Sequence, residues 1–294
     1  MNLFKGHGIK ARIESKATDL LYFPEQCKQK IKGAYHKNGI KVYWWKKRIN
    51  FGDLITPFLL QNFGYTPIYS KLQSADVVST GSILNSLQSN YSGIILGSGL
   101  IHPKGLYEFN SATILAVRGE LTKKCIKAPS STLLGDPGLL IGEFIKEEKE
   151  EKENRYLLGF VPHYVDKNHP IITAYKQKYG DKILIIDVET GVNQVCSQIN
   201  SCAHILSSSL HGLIIADSFG IPNSRLCLSN NIVGGNFKFD DYNSSLKASS
   251  NVTELKQNLS LKTLLGSTRL NSKDRIQELK GDLLHCFNQL KSSL

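Results

Sequence analysis

Short apolar runs rich in Val, Ile and Leu alternate along the chain with segments of helical periodicity, and this alternation constrains the fold more than any other feature. It is typical of parallel strands joined by helical crossovers, so the predicted fold class is α/β. The runs are continuously apolar, which indicates strands buried on both faces of a sheet. The predicted strands are residues 40–45, 75–79, 93–97, 112–117, 156–161, 182–187 and 203–207.

A charged segment, residues 146–155 (KEEKEEKENR), separates the fourth predicted strand from the fifth. It has almost nothing to bury, so we interpret it as a linker; an exposed helix end is an alternative compatible with that role. The length of 294 residues also favours two domains. We predict α/β domains over residues 1–145 and 156–294, the second ending in an amphipathic helix over 273–291, and leave residues 1–38 uninterpreted.

The net charge of +11 favours an anionic partner, such as nucleic acid, a membrane surface or a phosphorylated substrate. Basic residues are scattered except at Lys46, Lys47 and Arg48, and no nucleic-acid-binding motif is recognisable, so no nucleic-acid partner is expected. We prefer a peripheral contact with an anionic membrane. For any single lysine, a solvated basic face is the simpler interpretation.

No apolar run approaches the roughly 20 residues of a spanning helix. The first residues also lack the apolar core of a signal peptide. We therefore expect a cytoplasmic protein that could lie peripherally at the inner membrane face. The six cysteines show no CxxC spacing and no clustering with histidine, so no metal site is predicted.

The residues that follow the predicted strands are the first candidates for a site, because ligands of open parallel sheets bind beyond the carboxyl ends of the strands. Asn50 and Asp53 follow the first strand, and Gly97, Ser98 and Gly99 follow the third. These glycines let a ligand approach the backbone, although Gly-Ser-Gly is more often a plain turn. Asp53 could equally cap the next helix.

Arg118 follows the fourth predicted strand beside a glycine. Its planar guanidinium can bind a carboxylate or a phosphate through two N–H groups there. A surface arginine paired with Glu120 is the alternative. Further along, Asp136 precedes Pro137 in the manner of a helix cap, so a capping role is sufficient for Asp136.

The densest signal is ILSSSLHGLIIADSFGIP, residues 205–222. A strand ends at serines that can cap the next helix, and Gly220 with Pro222 ends that helix. His211 then lies in the first turn, where free amides and the helix dipole form an anion site. Most single histidines are structural, but one in this position can hold a phosphate or deliver a proton.

Five segments occur in the order found in the polysaccharide pyruvyltransferases: NFGD, VRG, LGDPGLL, VPHYVD and SSSLHGLIIADSFGIPN. The chain resembles this family, and especially its exopolysaccharide branch, over residues 50–240. The resemblance implies two Rossmann-like halves arranged as in the GT-B glycosyltransferases. It also implies a site in the cleft between the halves and a terminal helix that can cross back.

The activity implied by the resemblance is transfer of a pyruvyl group from phosphoenolpyruvate to a sugar, which forms a cyclic ketal. The expected partners are phosphoenolpyruvate, as donor substrate, and a glycan acceptor. That acceptor would be a bacterial surface polysaccharide, such as an exopolysaccharide or capsule, or its polyprenyl-diphosphate-linked precursor. No cofactor is expected.

Members of the family are thought to hold phosphoenolpyruvate with an arginine after an amino-domain strand and an Arg-Leu-His triplet in the second domain. Arg118 matches the first arginine, and Leu210 and His211 match the end of the triplet. Ser209 replaces the triplet's arginine. The resemblance then implies a weaker phosphate clamp, or one that borrows a cation such as Arg225.

Catalytic roles follow from these matches. His211 is expected to contact the phosphate and to deliver a proton. Asp53 or His163 is expected to act on the acceptor hydroxyls, with Asn50 and Tyr164 as further acceptor-binding residues. Such proton transfers are typically worth roughly 10² to 10⁴ in rate.

Two other functions stay open. A GT-B-type glycosyltransferase would share the architecture and use a sugar nucleotide, because fold does not determine function. An inactive glycan-binding relative, in which Ser209 marks lost activity, would bind the donor without turnover. Release of phosphate from phosphoenolpyruvate, with no nucleotide consumed, separates the transferase from both.

Overall fold

The structure, a computed structural model, describes residues 38–105, 107–145, 156–229 and 231–293. It contains two parallel β-sheets with helices packed around them, so the predicted α/β fold class is confirmed. The segment predicted as a linker, residues 146–155, lies outside the described residues, as do residues 1–37. The division into two domains therefore stays a prediction.

Six parallel strands form the first sheet: β1 (Gly39–Val42), β2 (Thr66–Tyr69), β3 (Val77–Val78), β4 (Ile94–Ser98), β5 (Thr113–Val117) and β6 (Leu133–Leu134). Their order across the sheet is β2-β1-β3-β4-β5-β6. Its helices are α1 (Ile55–Asn62), α2 (Glu120–Cys125) and α3 (Ile141–Phe144). Short 3₁₀ helices span Phe51–Leu54, Leu72–Ser74, Leu84–Ser86 and Pro137–Leu140.

Five parallel strands form the second sheet: β7 (Leu158–Val161), β8 (Ile183–Ile185), β9 (Ile205–Ser207), β10 (Asn223–Cys227) and β11 (Val252–Glu254). Their order is β11-β10-β9-β7-β8. The helices are α4 (Pro170–Tyr179), α5 (Val192–Asn200), α6 (Leu210–Phe219), α7 (Phe237–Ser245), α8 (Leu261–Gly266) and α9 (Lys273–Ser293), and a 3₁₀ helix spans Gly180–Lys182.

All seven predicted strands are present, each shorter than or shifted slightly from its prediction. Four strands were missed, namely β2, β6, β10 and β11. In β2, Pro67 lowers the strand signal, and β2 lies at the sheet edge, where proline is tolerated. In β10, Asn223 and Ser224 are buried but polar, and their side chains bond to Asp217 on α6 and Thr253 on β11.

One hydrophobic core runs through both sheets. It joins Ile55 and Leu139 of the first half to Ile214 of the second. Helix α9 crosses back to the first sheet, where Phe287 stacks on Phe63 with ring centroids 4.5 Å apart. The amphipathic helix predicted for 273–291 is thus confirmed, and its apolar face covers the half that precedes it in the chain. Among the described residues, no helix is both long enough and apolar enough to cross a bilayer.

Candidate active site

In each sheet the first strand lies between the next two strands of the chain: β1 between β2 and β3, and β7 between β8 and β9. Such switch points open a crevice beyond the carboxyl ends of the strands, where ligands of α/β sheets bind. The loops at these ends carry Asn50–Asp53 after β1, Ser79–Ser82 after β3, His163 after β7 and His211 after β9. We therefore take these four loops as the candidate active site.

The loops of the two halves touch at Gly52 and His211. A Cβ atom on Gly52 would overlap the imidazole ring, so only glycine permits this contact. Phe51 N–H donates to the Val188 carbonyl across the halves at 2.9 Å. The structure thus brings together the NFGD and SLHG segments, which are far apart in the sequence. The 3₁₀ helix here is capped by Asn50, whose side chain accepts from Gly52 N–H.

Asp53 is partly buried beside this contact. Its carboxylate accepts from Asn50 Nδ2 at 3.1 Å. Burial raises the pKa of Asp53 to about 7, while the hydrogen bond from Asn50 and the positive charge of Lys238 oppose the rise. A Cβ on Gly81 would lie 4.0 Å from Asp53 Oδ1, so the loop after β3 borders the carboxylate. Asp53 can therefore exchange a proton near neutral pH.

His211 lies in the first turn of α6, as the sequence predicted, and 11% of its side chain is exposed. Its Nε2 atom is sealed from solvent and lies 3.9 Å from Asp136 Oδ2, and neither atom has a hydrogen-bond partner among the described residues. Burial, followed by the positive charges of Arg118 and Lys238, lowers the pKa of His211 to about 3. The imidazole is therefore neutral at pH 7.

Asp136 performs the capping role predicted for it, since its Oδ1 atom accepts from Gly138 N–H at 2.9 Å. Its other oxygen, Oδ2, faces His211. Burial raises the pKa of Asp136 to about 6. One oxygen of the Asp136 carboxylate thus caps the start of the 3₁₀ helix Pro137–Leu140, and the other faces the histidine of the other half.

Arg118 is fully buried, and its guanidinium is bound by protein groups. Nε donates to Asp241 Oδ2 at 2.9 Å, and the two terminal nitrogens donate to Ser82 Oγ and the Leu100 carbonyl. The alternative of a surface arginine paired with Glu120 is therefore wrong. These bonds use three of the five N–H donors that a guanidinium carries.

The Gly97–Gly99 loop lies behind these residues. A Cβ on Gly97 would overlap Pro137, and one on Gly99 would overlap the Arg118 guanidinium. Ser98 is buried within β4, and its hydroxyl donates to the Gly81 carbonyl at 2.9 Å. Both glycines thus permit a close approach of protein atoms.

The serines after β9 hold the start of α6. Ser209 is the N-cap residue, as the sequence predicted, but its side chain makes no capping hydrogen bond. Leu210, the first residue of the helix, is buried. Ser208 Oγ accepts from His163 N–H at 2.9 Å and donates to Asp166 at 2.8 Å, so it ties the loop after β7 to the loop after β9.

His163 and Tyr164 form an aromatic pair with ring centroids 4.1 Å apart. Burial lowers the pKa of His163 to about 4. The guanidinium of Arg48, from the first half, lies 4.5 Å from the Tyr164 ring and donates to Glu189 at 2.6 Å. The predicted acceptor-binding residues therefore border the seam between the halves.

Arg225 lies on β10. Its guanidinium is 3.9 Å from the Phe239 ring and donates to Asn236 at 2.8 Å. Its positive charge nevertheless contributes to lowering the pKa of Lys238. Arg225 therefore adds to the positive potential of the site.

Sequence reasoning missed several residues that border the site. Ser82 follows the second predicted strand, so the rule applied to the other strand ends would have found it. Asp136 was noticed only as a cap. Lys238 and Asp241 lie on α7 in a segment without a motif, so the sequence carried no signal for them. Among the described residues, no cluster of three or more His, Cys, Asp or Glu residues could hold a metal ion.

Comparison with known proteins matches residues 2–224 to the family described as polysaccharide pyruvyl transferase. An uncharacterized protein of Acanthamoeba polyphaga mimivirus is 35% identical over 213 residues, covering 64% of this chain and 67% of that protein. Succinoglycan biosynthesis protein ExoV of Rhizobium meliloti (strain 1021) is 26% identical over 216 residues, covering 70% of this chain and 65% of that protein. The chain thus spans about two thirds of each relative, and no solved structure matches it.

Proposed function

Because the chain belongs to the polysaccharide pyruvyl transferase family, we propose that it transfers a pyruvyl group from phosphoenolpyruvate to two hydroxyls of one sugar, forming a cyclic ketal. The acceptor is a bacterial surface polysaccharide or its lipid-linked precursor. With a lipid-linked acceptor, the chain works in the cytoplasm at the anionic membrane face. The observation that carries the proposal is the meeting of Asp53, Asp136 and His211 beyond the carboxyl ends of strands from both sheets.

In this proposal the site lies between two Rossmann-like halves in a GT-B-like arrangement. The contact of Gly52 with His211 and the bond from Phe51 N–H to the Val188 carbonyl support a site formed by both halves. A domain boundary within residues 146–155 is compatible with the separate sheets that precede and follow this segment in the chain.

The donor carries a carboxylate and a phosphate, so its site must be positive. Arg118, Lys238 and Arg225 supply that charge, and their mutual repulsion contributes to lowering the pKa of Lys238. We assign the positive charge of Arg118 to the donor carboxylate; because its side chain is fully buried and bonded to protein groups, it acts through its charge from behind the site, with Gly97–Gly99 packed against it. The first amides of α6, from Leu210 onward, face the phosphate.

The reaction must balance protons as well as bonds. A proton adds to the methylene carbon of phosphoenolpyruvate, and one sugar hydroxyl attacks the adjacent carbon. The bond from that carbon to the phosphate oxygen then breaks, and the second hydroxyl closes the ketal. One hydroxyl proton thus balances the proton in the new methyl group, and the other leaves with phosphate.

Two groups of the site suit these proton transfers. Asp53 has a pKa of about 7, so its ionised form can take the proton of an acceptor hydroxyl at neutral pH, while His163 and Tyr164 bind the acceptor beside it. His211 contacts the phosphate and delivers a proton. Burial and then the positive charges of Arg118 and Lys238 lower the pKa of His211, and the donor's negative charges raise it because they offset those positive charges.

The test is an assay with phosphoenolpyruvate and a glycan acceptor. We expect phosphate release, a pyruvyl ketal in the mass spectrum of the glycan, and no consumption of nucleotide. Release of a nucleotide from a sugar nucleotide would instead support a glycosyltransferase. Saturable donor binding without turnover would support an inactive relative.

The variant His211→Ala should lower pyruvyl transfer by roughly 10² to 10⁴. It removes both a contact to the phosphate and a proton carrier. Ser209→Ala removes only a neutral hydroxyl that water can partly replace, so it should mainly raise KM for phosphoenolpyruvate. Steady-state kinetics with thermal melts of both variants check these expectations, and wild-type turnover in a folded His211→Ala chain would make the histidine structural.

A further inference from the structure

Lys238, near the start of α7, is buried, and its ammonium has no hydrogen-bond acceptor. Only 9% of the residue is exposed, and within the described part of the chain its Nζ makes no hydrogen bond or ion pair and lies 5.4 Å from the centroid of the Phe239 ring. Lys280 is buried to a similar degree, at 5% exposed, but its Nζ donates to Glu143 and to the Ser218 carbonyl at 2.9 and 3.0 Å. Burying an ammonium without an acceptor is unfavourable, so the contrast points to a ligand at Lys238.

The turn of α7 that carries Lys238 lies against Arg118, because Asp241, three residues further along the helix, accepts from Arg118 Nε at 2.9 Å. The Nζ atom of Lys238 has no hydrogen-bond partner, yet it is not one of the unbonded polar atoms that are sealed from solvent among the described residues. It therefore keeps a small solvent-exposed area. Burial and the charges of Arg118 and Arg225 lower the pKa of Lys238 to about 8, which leaves it protonated at neutral pH. The negative charge of Asp53 opposes that shift, and the Lys238 charge in turn helps lower the pKa of His211. Lys238 therefore lies among residues of both halves.

The other groups near the start of α6 do not place a full positive charge in direct contact with a phosphate bound there. Ser209, the N-cap residue of α6, carries only a neutral hydroxyl. Arg118 is held by Asp241, Ser82 and Leu100. Either a guanidinium or an ammonium can bind a phosphate, but Arg118 is fully buried and already bonded, whereas the Lys238 ammonium has no hydrogen-bond acceptor among the described residues.

We propose that Lys238 binds the phosphate of the donor, a phosphate monoester of a small carboxylic acid, together with the first amides of α6. Lys238 thereby supplies the positive charge that Ser209 cannot. This inference rests on the proposed function, in which the donor is phosphoenolpyruvate. It assigns the phosphate to Lys238 and the carboxylate to Arg118.

The test is calorimetric binding of phosphoenolpyruvate, inorganic phosphate and pyruvate to the full chain, to Lys238→Met and to the matched buried control Lys280→Met. Lys238→Met should weaken binding of phosphoenolpyruvate and phosphate by roughly 10- to 100-fold, the loss expected for a charged hydrogen bond, and leave pyruvate binding unchanged. Its melting temperature should stay the same or rise, because an unpaired buried charge is removed. Lys280→Met should show the reverse, with a lower melting temperature and unchanged binding.

Unchanged affinity for phosphate in Lys238→Met would overturn the assignment, as would equal losses for pyruvate and phosphate. Failure of the wild-type chain to bind either phosphate or phosphoenolpyruvate would overturn it too. A wild-type chain that binds phosphate through Lys238 but forms no ketal would support this inference and contradict the proposed transfer. The two proposals can therefore fail separately.

Discussion

Two buried atoms, Asp136 Oδ2 and His211 Nε2, face each other 3.9 Å apart without hydrogen-bond partners among the described residues. Buried polar atoms are almost always bonded, so a pair of unbonded atoms at this distance calls for an explanation. Catalytic hydrogen bonds often tighten when substrate binds. We therefore expect Asp136 to act as a positioning residue that fixes the orientation and tautomer of His211 in the complex with donor.

We expect Asp136→Asn to reduce kcat for pyruvyl transfer by about 100-fold or more, with little change in KM for phosphoenolpyruvate. The asparagine keeps an oxygen for Gly138 N–H but can turn an N–H group toward His211 Nε2, which moves the ring proton to Nδ1. Steady-state kinetics and a thermal melt test this expectation. A variant that melts like wild type and keeps full kcat would reduce Asp136 to a cap.

At the scale of single residues, the sequence predicted only those site residues that follow strands. It located Asn50, Asp53 and His211 at strand ends because parallel strands place their carboxyl ends on one edge. It could not pair Arg118 with Asp241, since that partner is 123 residues away on a helix without a motif. Burial of a side chain depends on which elements pack over it, and no local pattern records this.

Among the helices, α7 of the second half contacts the first half through a buried ion pair and hydrogen bonds. Its Asp241 carboxylate accepts from Arg118 Nε at 2.9 Å and from Thr122 N–H and Oγ1 at 2.8 and 2.6 Å. A Cβ on Gly119 would overlap the Asp241 carbonyl, so the backbones also approach closely. One helix thus joins the end of β5 and the start of α2, and it carries Lys238 into the site.

Asp241→Asn should lower the free energy of unfolding by about 3 to 5 kcal/mol, because it leaves the fully buried Arg118 without its counter-charge. The neighbouring Asp240→Asn is a matched control, since Asp240 makes a solvent-exposed hydrogen bond with Ser250. It should change stability by less than about 1 kcal/mol. Urea denaturation measures both values, and equal effects would mean that the buried pair contributes little.

The elements themselves were largely predictable. Continuous apolar runs located the seven strands that the sequence predicted, and apolar spacing located α9. The missed strands contain few apolar residues or only two residues, as in β6. In β10, Asn223 bonds to Asp217 and Ser224 to Thr253, so tertiary partners replace the hydrophobicity that a sequence pattern requires.

For the whole molecule, the decisive feature is the core that both sheets share. Leu283 of α9 packs against Gly135 beside the first sheet, although it follows the second sheet in the chain. Neither half can then expose its part of this shared core without disturbing the other half. We therefore expect the whole chain to unfold in a single cooperative transition.

Leu283→Ala should lower the free energy of unfolding by about 2 to 5 kcal/mol, the usual loss when a buried leucine leaves a cavity. Hydrogen exchange should accelerate in β5 and β6 of the first sheet, which α9 contacts. Gly281→Ala is the control in the same helix, since its Cβ would meet no atom within 4 Å, and it should add about 0.5 to 1 kcal/mol. Two separate melting transitions in the wild type, or exchange changes confined to the second half, would contradict the shared core.

The crossing of α9 also sets the order in which a growing chain can fold. The ribosome makes β5 and β6 long before it makes Leu283 and Phe287, the side chains that pack over this half. At roughly 5 to 20 residues per second, that apolar face stays uncovered for about ten seconds or more during translation. We therefore expect the nascent chain to offer a binding surface to chaperones until α9 leaves the exit tunnel, and the site to be completed only after that point.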